Sequence, residues 1–201
     1  MRKTAITLAL ASALLAGCAT PAYVSPVEVT RFVGATPTAL GQGTISVEPA
    51  PGLDGNTIVF GAYADAVRAQ LQEEGYTVVA ANGAQVAQID IEAFVAQGED
   101  RRGGVGVGGG ASTGSYGSGV GVGVGVDLTR LLSGPSPERI ERQLSVAIKP
   151  QAGGANLWEG RASMTATSNS DYAEEAAAAS RLADGLFTGF PGVSGETIAV
   201  E

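Results

Sequence analysis

The chain reads as an α+β domain, a two-layer sandwich of a mostly antiparallel sheet with two helices on one face and a glycine-rich hairpin insertion. Three observations predict it. Several segments alternate apolar and polar residues at period two, two longer segments repeat apolar residues at helical spacing, and the strands come in runs. A doubly wound parallel sheet would need regular strand–helix alternation instead.

Val27-Glu28-Val29-Thr30-Arg31-Phe32 alternates and reads as the first strand. Thr44-Ile45-Ser46-Val47-Glu48 alternates again until Pro49, Pro51 and Gly52 stop it. The spacing of Phe60, Tyr63, Ala64, Val67 and Leu71 predicts a helix over 61–74, with Gly75 at its C-terminal cap. Tyr76–Ala80 then reads as a strand and Asn82-Gly83 as a turn. In the strand 88–96, Ile89, Ile91, Ala93 and Val95 point one way and Asp90, Glu92 and Phe94 the other. Residues 139–149 form a strand with Leu144, Val146 and Ile148 inward. After a turn at 151–156, the strand 157–164 puts Trp158, Gly160, Ala162 and Met164 on one side. A second helix is predicted over 171–187, with Asp171 and Glu174 as a capping box and Tyr172, Ala176, Ala179, Ala183 and Leu186 as its stripe. Thr197–Val200 reads as a short last strand.

Ahead of this domain, Arg2 and Lys3 precede an apolar run, Ala5–Ala16, that closes on Leu15-Ala16-Gly17-Cys18. A positive start, a short apolar middle and small residues before a cut describe a secretory signal peptide over 1–17. Twelve apolar residues rise about 18 Å, too little for a hydrocarbon core of about 30 Å. The ending resembles the lipobox of bacterial lipoproteins. That resemblance implies cleavage between Gly17 and Cys18, diacylglycerol (typically palmitate-bearing) on the Cys18 sulfur, and an N-acyl lipid on the new amine. No other cofactor is expected. Two or more acyl chains hold a protein firmly, where one would not. Ala19, in place of an aspartate, implies sorting to the outer membrane. Residues 18–26 then form a lipidated tether, and 27–201 a single periplasmic domain.

Removing the signal takes two of the twelve basic side chains and leaves ten against twenty acidic ones, with Lys149 the only lysine. So acidic a chain lacks the clustered Lys and Arg that nucleic acid requires, and it has no charge attraction to anionic headgroups. Cys18 is the only cysteine, so an internal disulfide is impossible and stability rests on a packed core.

Twelve glycines fall within 103–126, alternating with Val105 and Val107 and then with Val120, Val122, Val124 and Val126. Period-two alternation puts valine on one face and bare backbone on the other, the pattern of a β-hairpin. Its second arm is a candidate edge for docking a partner chain by strand addition. It is also the candidate arm of a membrane-inserting hairpin. Gly104, Gly106 and Gly109 match a dinucleotide-binding pattern, and Gly110–Gly114 a hydrolase elbow. No helix start follows the first and no histidine serves the second.

The absence of histidine removes Ser-His and Cys-His nucleophiles and the imidazole ligands of transition metals, so no catalytic residues and no metal site are expected. Asp90 and Glu92 share one strand face, with Arg139, Arg142 and Arg161 expected as cross-strand charge partners. With Trp158 as a stacking platform, the two carboxylates would instead form a glycan-contact set.

Phe60, Tyr63-Ala64-Asp65-Ala66, Leu71 and Gly75-Tyr76 precede a strand and the glycine-rich insertion. Leu157-Trp158-Glu159-Gly160-Arg161-Ala162 and a helix ending Leu186-Phe187 before Phe190-Pro191 follow it. In this order they resemble an uncharacterised family of Gram-negative lipoproteins classed as a domain of unknown function. The resemblance implies an α+β domain at the periplasmic face of the outer membrane. Here valine stands where relatives often show aromatic residues among the glycines. The expected function is a lipid-anchored adaptor or structural protein working by contact with an envelope protein or by self-association. The alternatives are a cell-wall glycan binder or hydrolase and an oligomeric membrane-inserting hairpin.

Overall fold

The computed structural model describes residues 20–96 and 136–201. Its strands are β1 (Val27–Val33), β2 (Thr44–Pro49), β3 (Thr77–Val78), β4 (Gln85–Ala96), β5 (Arg139–Pro150), β6 (Trp158–Thr167) and β7 (Thr197–Val200). The helices are α1 (Ile58–Glu73), between β2 and β3, and α2 (Glu175–Phe187), between β6 and β7. The seven strands form one sheet in the order β3-β2-β4-β5-β6-β1-β7. The expected α+β architecture is present. Most pairs are antiparallel, and the parallel ones are β2 with β3 and β2 with β4. The glycine-valine insertion, with Val120, Val122, Val124 and Val126, lies outside the described residues, as do Gly17 and Cys18.

Alternation decides which face is covered. The inward row Ile89–Val146–Gly160–Arg31 and the next, Ile91–Leu144–Ala162–Val29, cross four strands in register. These rows face α1 and α2, whose Phe60, Tyr63, Val67, Leu71, Ala179, Leu182, Leu186 and Phe187 join the same buried cluster. Trp158 sits fully buried at the far end of β6. Its ring stacks on Phe187 at 5.4 Å and tilts against Phe190 at 5.2 Å, and its Nε1–H donates to the Pro191 carbonyl at 2.9 Å.

Helix α1 begins at Ile58, three residues earlier than the apolar spacing predicts, because the Thr57 hydroxyl accepts the Phe60 N–H at 3.0 Å. Gly75 ends it at φ +98°, where a Cβ would press on the Gly41 carbonyl. The strand expected over 76–80 shrinks to Thr77–Val78, since the chain leaves the edge of β2 after Val79 bonds Ile45.

Helix α2 corrects the sequence reading more. No capping box forms: Asp171–Ala173 is a separate 3-10 turn, and neither Ser170 nor Glu174 caps through its side chain. The buried Arg142 of β5 organises this entry instead. Its guanidinium donates to the carbonyls of Tyr172 (3.0 Å) and Ala173 (2.7 Å) and to the Glu175 carboxylate at 2.9 Å. At the other end Arg31 of β1, also buried, donates to the carbonyls of Leu186 (2.9 Å), Gly185 (3.1 Å) and Thr188 (2.8 Å). Cations suit a helix C-terminus, whose last carbonyls lack partners. One strand arginine therefore holds each end of α2. The buried stripe runs Ala178, Ala179, Leu182, Ala183, Leu186, while Ala176 is exposed and Tyr172 precedes the helix.

Residues 23–25, expected to be tether, extend the sheet. Val24 bridges Ala166, and Tyr23 and Thr167 exchange backbone and hydroxyl hydrogen bonds.

Candidate functional site

The second face of the sheet carries no helix among the described residues, and its side chains follow from the same registers. One row runs Asp90–Ser145–Arg161–Thr30 across β4, β5, β6 and β1. The row beside it runs Gln88–Ala147–Glu159–Phe32, and a third runs Glu92–Gln143–Ser163–Glu28. Between the first two lies a groove of about 380 Å³. Ser145 and Ala147 form its floor because β5 carries small side chains there. Asp90 and Gln88 rise on one side, Glu159 and Arg161 on the other, and Phe32 closes one end at 54% exposure.

Asp90 and Arg161 stand two strand spacings apart, about 10 Å between backbones, with Ser145 between them. They form no ion pair. Asp90 Oδ1 instead accepts its neighbour's N–H, from Ile91, at 3.0 Å. Arg161 is exposed, and its guanidinium makes no hydrogen bond or ion pair with any described residue. Glu92 accepts from the Gln143 amide at 2.8 Å. A second groove, of about 280 Å³, continues across Glu28, Glu141, Ser163 and Thr165. This face is therefore polar and mainly acidic, with one free guanidinium and with exposed aromatic rings at Phe32 and, farther along β4, Phe94.

The expected charge partners of Asp90 and Glu92 are corrected in two of three cases. Arg142 points to the opposite face, to Glu175, and Arg139 lies over the Tyr23 ring at 5.2 Å. Arg161 and Arg139 share their face, but Arg139 is engaged by the Tyr23 ring, and only Arg161 stands beside Asp90 in the groove. The candidate glycan set is divided in the same way: Asp90 and Glu92 lie together on the bare face, whereas Trp158 is buried in the core beneath the other. It offers no ring for a sugar. Sequence reading passed over Phe32, Ser145 and Arg161 as members of one groove. The signal was present, because the alternation that turns Trp158, Gly160 and Ala162 inward turns Glu159 and Arg161 outward.

Among the described residues no three His, Cys, Asp or Glu side chains gather in a metal-binding arrangement. None of the described helices is long and apolar enough to cross a membrane. The unusual titrations are on the helix side. Burial, with Glu175 nearby, pushes the Tyr63 phenol well up, and burial raises the Glu74 carboxyl from its ordinary value.

The sequence profile of the family described as Domain of unknown function (DUF4136) matches residues 46–192. No curated protein sequence matches the chain. Among solved structures, a PDZ domain protein from Parabacteroides distasonis is similar over 89% of this chain at 14% identity and a TM-score of 0.46. The chain spans 38% of that protein's length. Two PelC dodecamer structures from Paraburkholderia phytofirmans are similar over 78% of this chain and 91% of theirs. Their identities are 14% and 13%, and their TM-scores 0.38 and 0.40.

Proposed function

Because the chain belongs to the DUF4136 family, a domain of unknown function, we propose its role from its own sequence and geometry. It is a lipid-anchored adaptor at the periplasmic face of the outer membrane that holds a protein partner on the bare face of its sheet. The observation that carries this reading is the groove over Ser145 and Ala147, walled by Asp90 and Glu159 and by the unpaired Arg161. Unpaired charges of both signs beside an exposed ring recognise a polypeptide better than they perform chemistry. Charge complementarity selects the partner, and the ring supplies buried area. The acidic excess of this face favours a basic partner segment. The helix face is already used to build the core.

A photo-crosslinking amino acid placed at Ser145 or Phe32 in cells should capture a discrete envelope protein, whereas the same probe at Ala69, on the exposed side of α1, should not. Combining Asp90→Lys and Glu159→Lys should abolish the Ser145 crosslink. A crosslink that survives this charge reversal, or that is equally strong from Ala69, would refute partner binding at the groove. Retention of the protein on purified peptidoglycan, lost in the same double variant, would replace the protein partner by a glycan.

A further inference from the structure

The topology gathers several features at one end of the sheet. Strand β2 points toward this end but stops at Pro49, beside Ile89, and β4, parallel to it, runs on to Ala96. β5 starts and β6 finishes there, Arg139 facing Ala96 on one side and Thr167 on the other. Helix α1 begins at this end because it follows β2, and Tyr23 arrives there by pairing with Thr167. Five of the seven large apolar side chains exposed among the described residues belong to this end. They are Tyr23 (46%), Ile58 (93%), Val59 (41%), Phe94 (59%) and Val95 (58%). Isolated exposed apolar residues are ordinary, but a cluster at one end marks a contact surface.

The chain itself says what that surface meets. Cys18 lies five residues before Tyr23, so the acylated cysteine is at most about 18 Å along the chain from this end. The twelve-residue β5 runs about 40 Å to the opposite end, well beyond that reach. Charge chooses the kind of leaflet. Glu92, Glu138, Glu141, Asp171 and Glu174 surround this end, and Arg139 is held over the Tyr23 ring. Anionic headgroups are therefore disfavoured.

We propose that Tyr23, Ile58, Val59, Phe94 and Val95 form a membrane-contacting surface that enters the headgroup layer of the zwitterionic leaflet holding the Cys18 acyl chains. The proposal rests on the lipidation of Cys18. Aromatic and branched apolar side chains favour that layer, and the anchor removes most of the entropic cost of bringing them to it. The sheet then stands on the membrane with β4 and β5 leading, and the groove over Ser145 faces sideways into the periplasm.

The test uses the full-length protein purified from cells and reconstituted in phosphatidylcholine vesicles containing a quencher-labelled lipid. A polarity-sensitive thiol dye is placed by Phe94→Cys or Phe32→Cys, two exposed positions whose substitution spares the core. The parent protein is treated with the same dye. The expected result is quenching several-fold stronger at position 94 than at 32, with no dye on the parent. Equal quenching at the two positions, or none at either, in a protein whose parent refuses the dye overturns the contact surface and leaves the anchor standing. Dye on the parent at Cys18 overturns the anchor, and the contact surface with it.

Discussion

Replacing Gly160 by alanine would overpack the core at a point that cannot yield. Gly160 lies on β6 directly under the indole of Trp158, and an added Cβ would come within 2.7 Å of Trp158 Cζ2 and 2.8 Å of Leu186 Cδ1. Carbon atoms prefer about 3.5–4.0 Å, so both contacts are repulsive. The ring has little freedom to move aside. Phe187 and Phe190 pack against it, and its Nε1–H is tied to the Pro191 carbonyl. Inserted methyl groups cost about 1–3 kcal/mol in well-packed cores, and the fixed ring places Gly160→Ala at the upper end, about 3 kcal/mol. With a urea m-value of about 2 kcal/mol/M, that lowers the midpoint by about 1.5 M. Trp158 is the only tryptophan, so its fluorescence reports the transition directly. Adding Trp158→Phe removes the indole atoms that collide and leaves only the Leu186 contact. The double variant, followed by circular dichroism, should be more stable than the sum of the two single losses predicts, by about 1 kcal/mol or more. A midpoint for Gly160→Ala within about 0.3 M of the parent would refute the reasoning.

Three further substitutions test the helix layer. Arg142→Met should destabilise by about 3 kcal/mol, because two carbonyls and the Glu175 carboxylate lose their donor. Hydrogen exchange should show the loss concentrated at 172–178. Tyr63→Phe should leave thermal stability unchanged or raise it by about 1 kcal/mol, since the buried hydroxyl finds no hydrogen-bond partner although Glu175 lies near. A loss above that size in calorimetry would mean the hydroxyl is bonded. Glu74→Gln should raise the melting temperature at pH 7. Burial first, then Glu73, raises the Glu74 carboxyl in the folded protein, while Arg31 opposes. The fold therefore favours its neutral form, and that stability, full below the unfolded pKa, is lost as pH rises through the folded one. The gain on substitution should vanish in melts at about pH 3, where both forms are neutral.

The strands were legible because each carries a one-sided apolar alternation. Val27 and Val29, Ile89 and Ile91, and Leu144, Val146 and Ile148 all turn inward as that alternation requires. Helix α1 was legible from the stripe ending at Leu71, but its start depended on a hydroxyl at Thr57, outside the stripe. Pairing was less accessible. β1 and β2 are consecutive yet lie on opposite sides of β4, β5 and β6, a long-range choice that no local pattern encodes. Arg31 and Arg142 illustrate the same limit. Each occupies an inward strand position that reads locally as a polar interruption, and its purpose appears only when the ends of α2 arrive 30 or more residues away in sequence. The groove on the bare face was half legible. Asp90 and Glu92 followed from alternation, while their assembly with Arg161 and Phe32 depended on the register between strands.

The edges of the sheet have a consequence for how copies of this protein can meet. β3 offers two residues and β7 four, whereas β4 has β2 beside it only from Gln85 to Ile89, so its stretch from Asp90 to Ala96 has no strand on that side among those described. A newcomer seeking to continue the ladder finds only a few free amides and carbonyls at β3 and β7, and a longer row along β4 past Ile89. Among the described strands, then, it is β4 beyond Ile89, not either border strand, that gives a second copy the longest length on which to build a common ribbon.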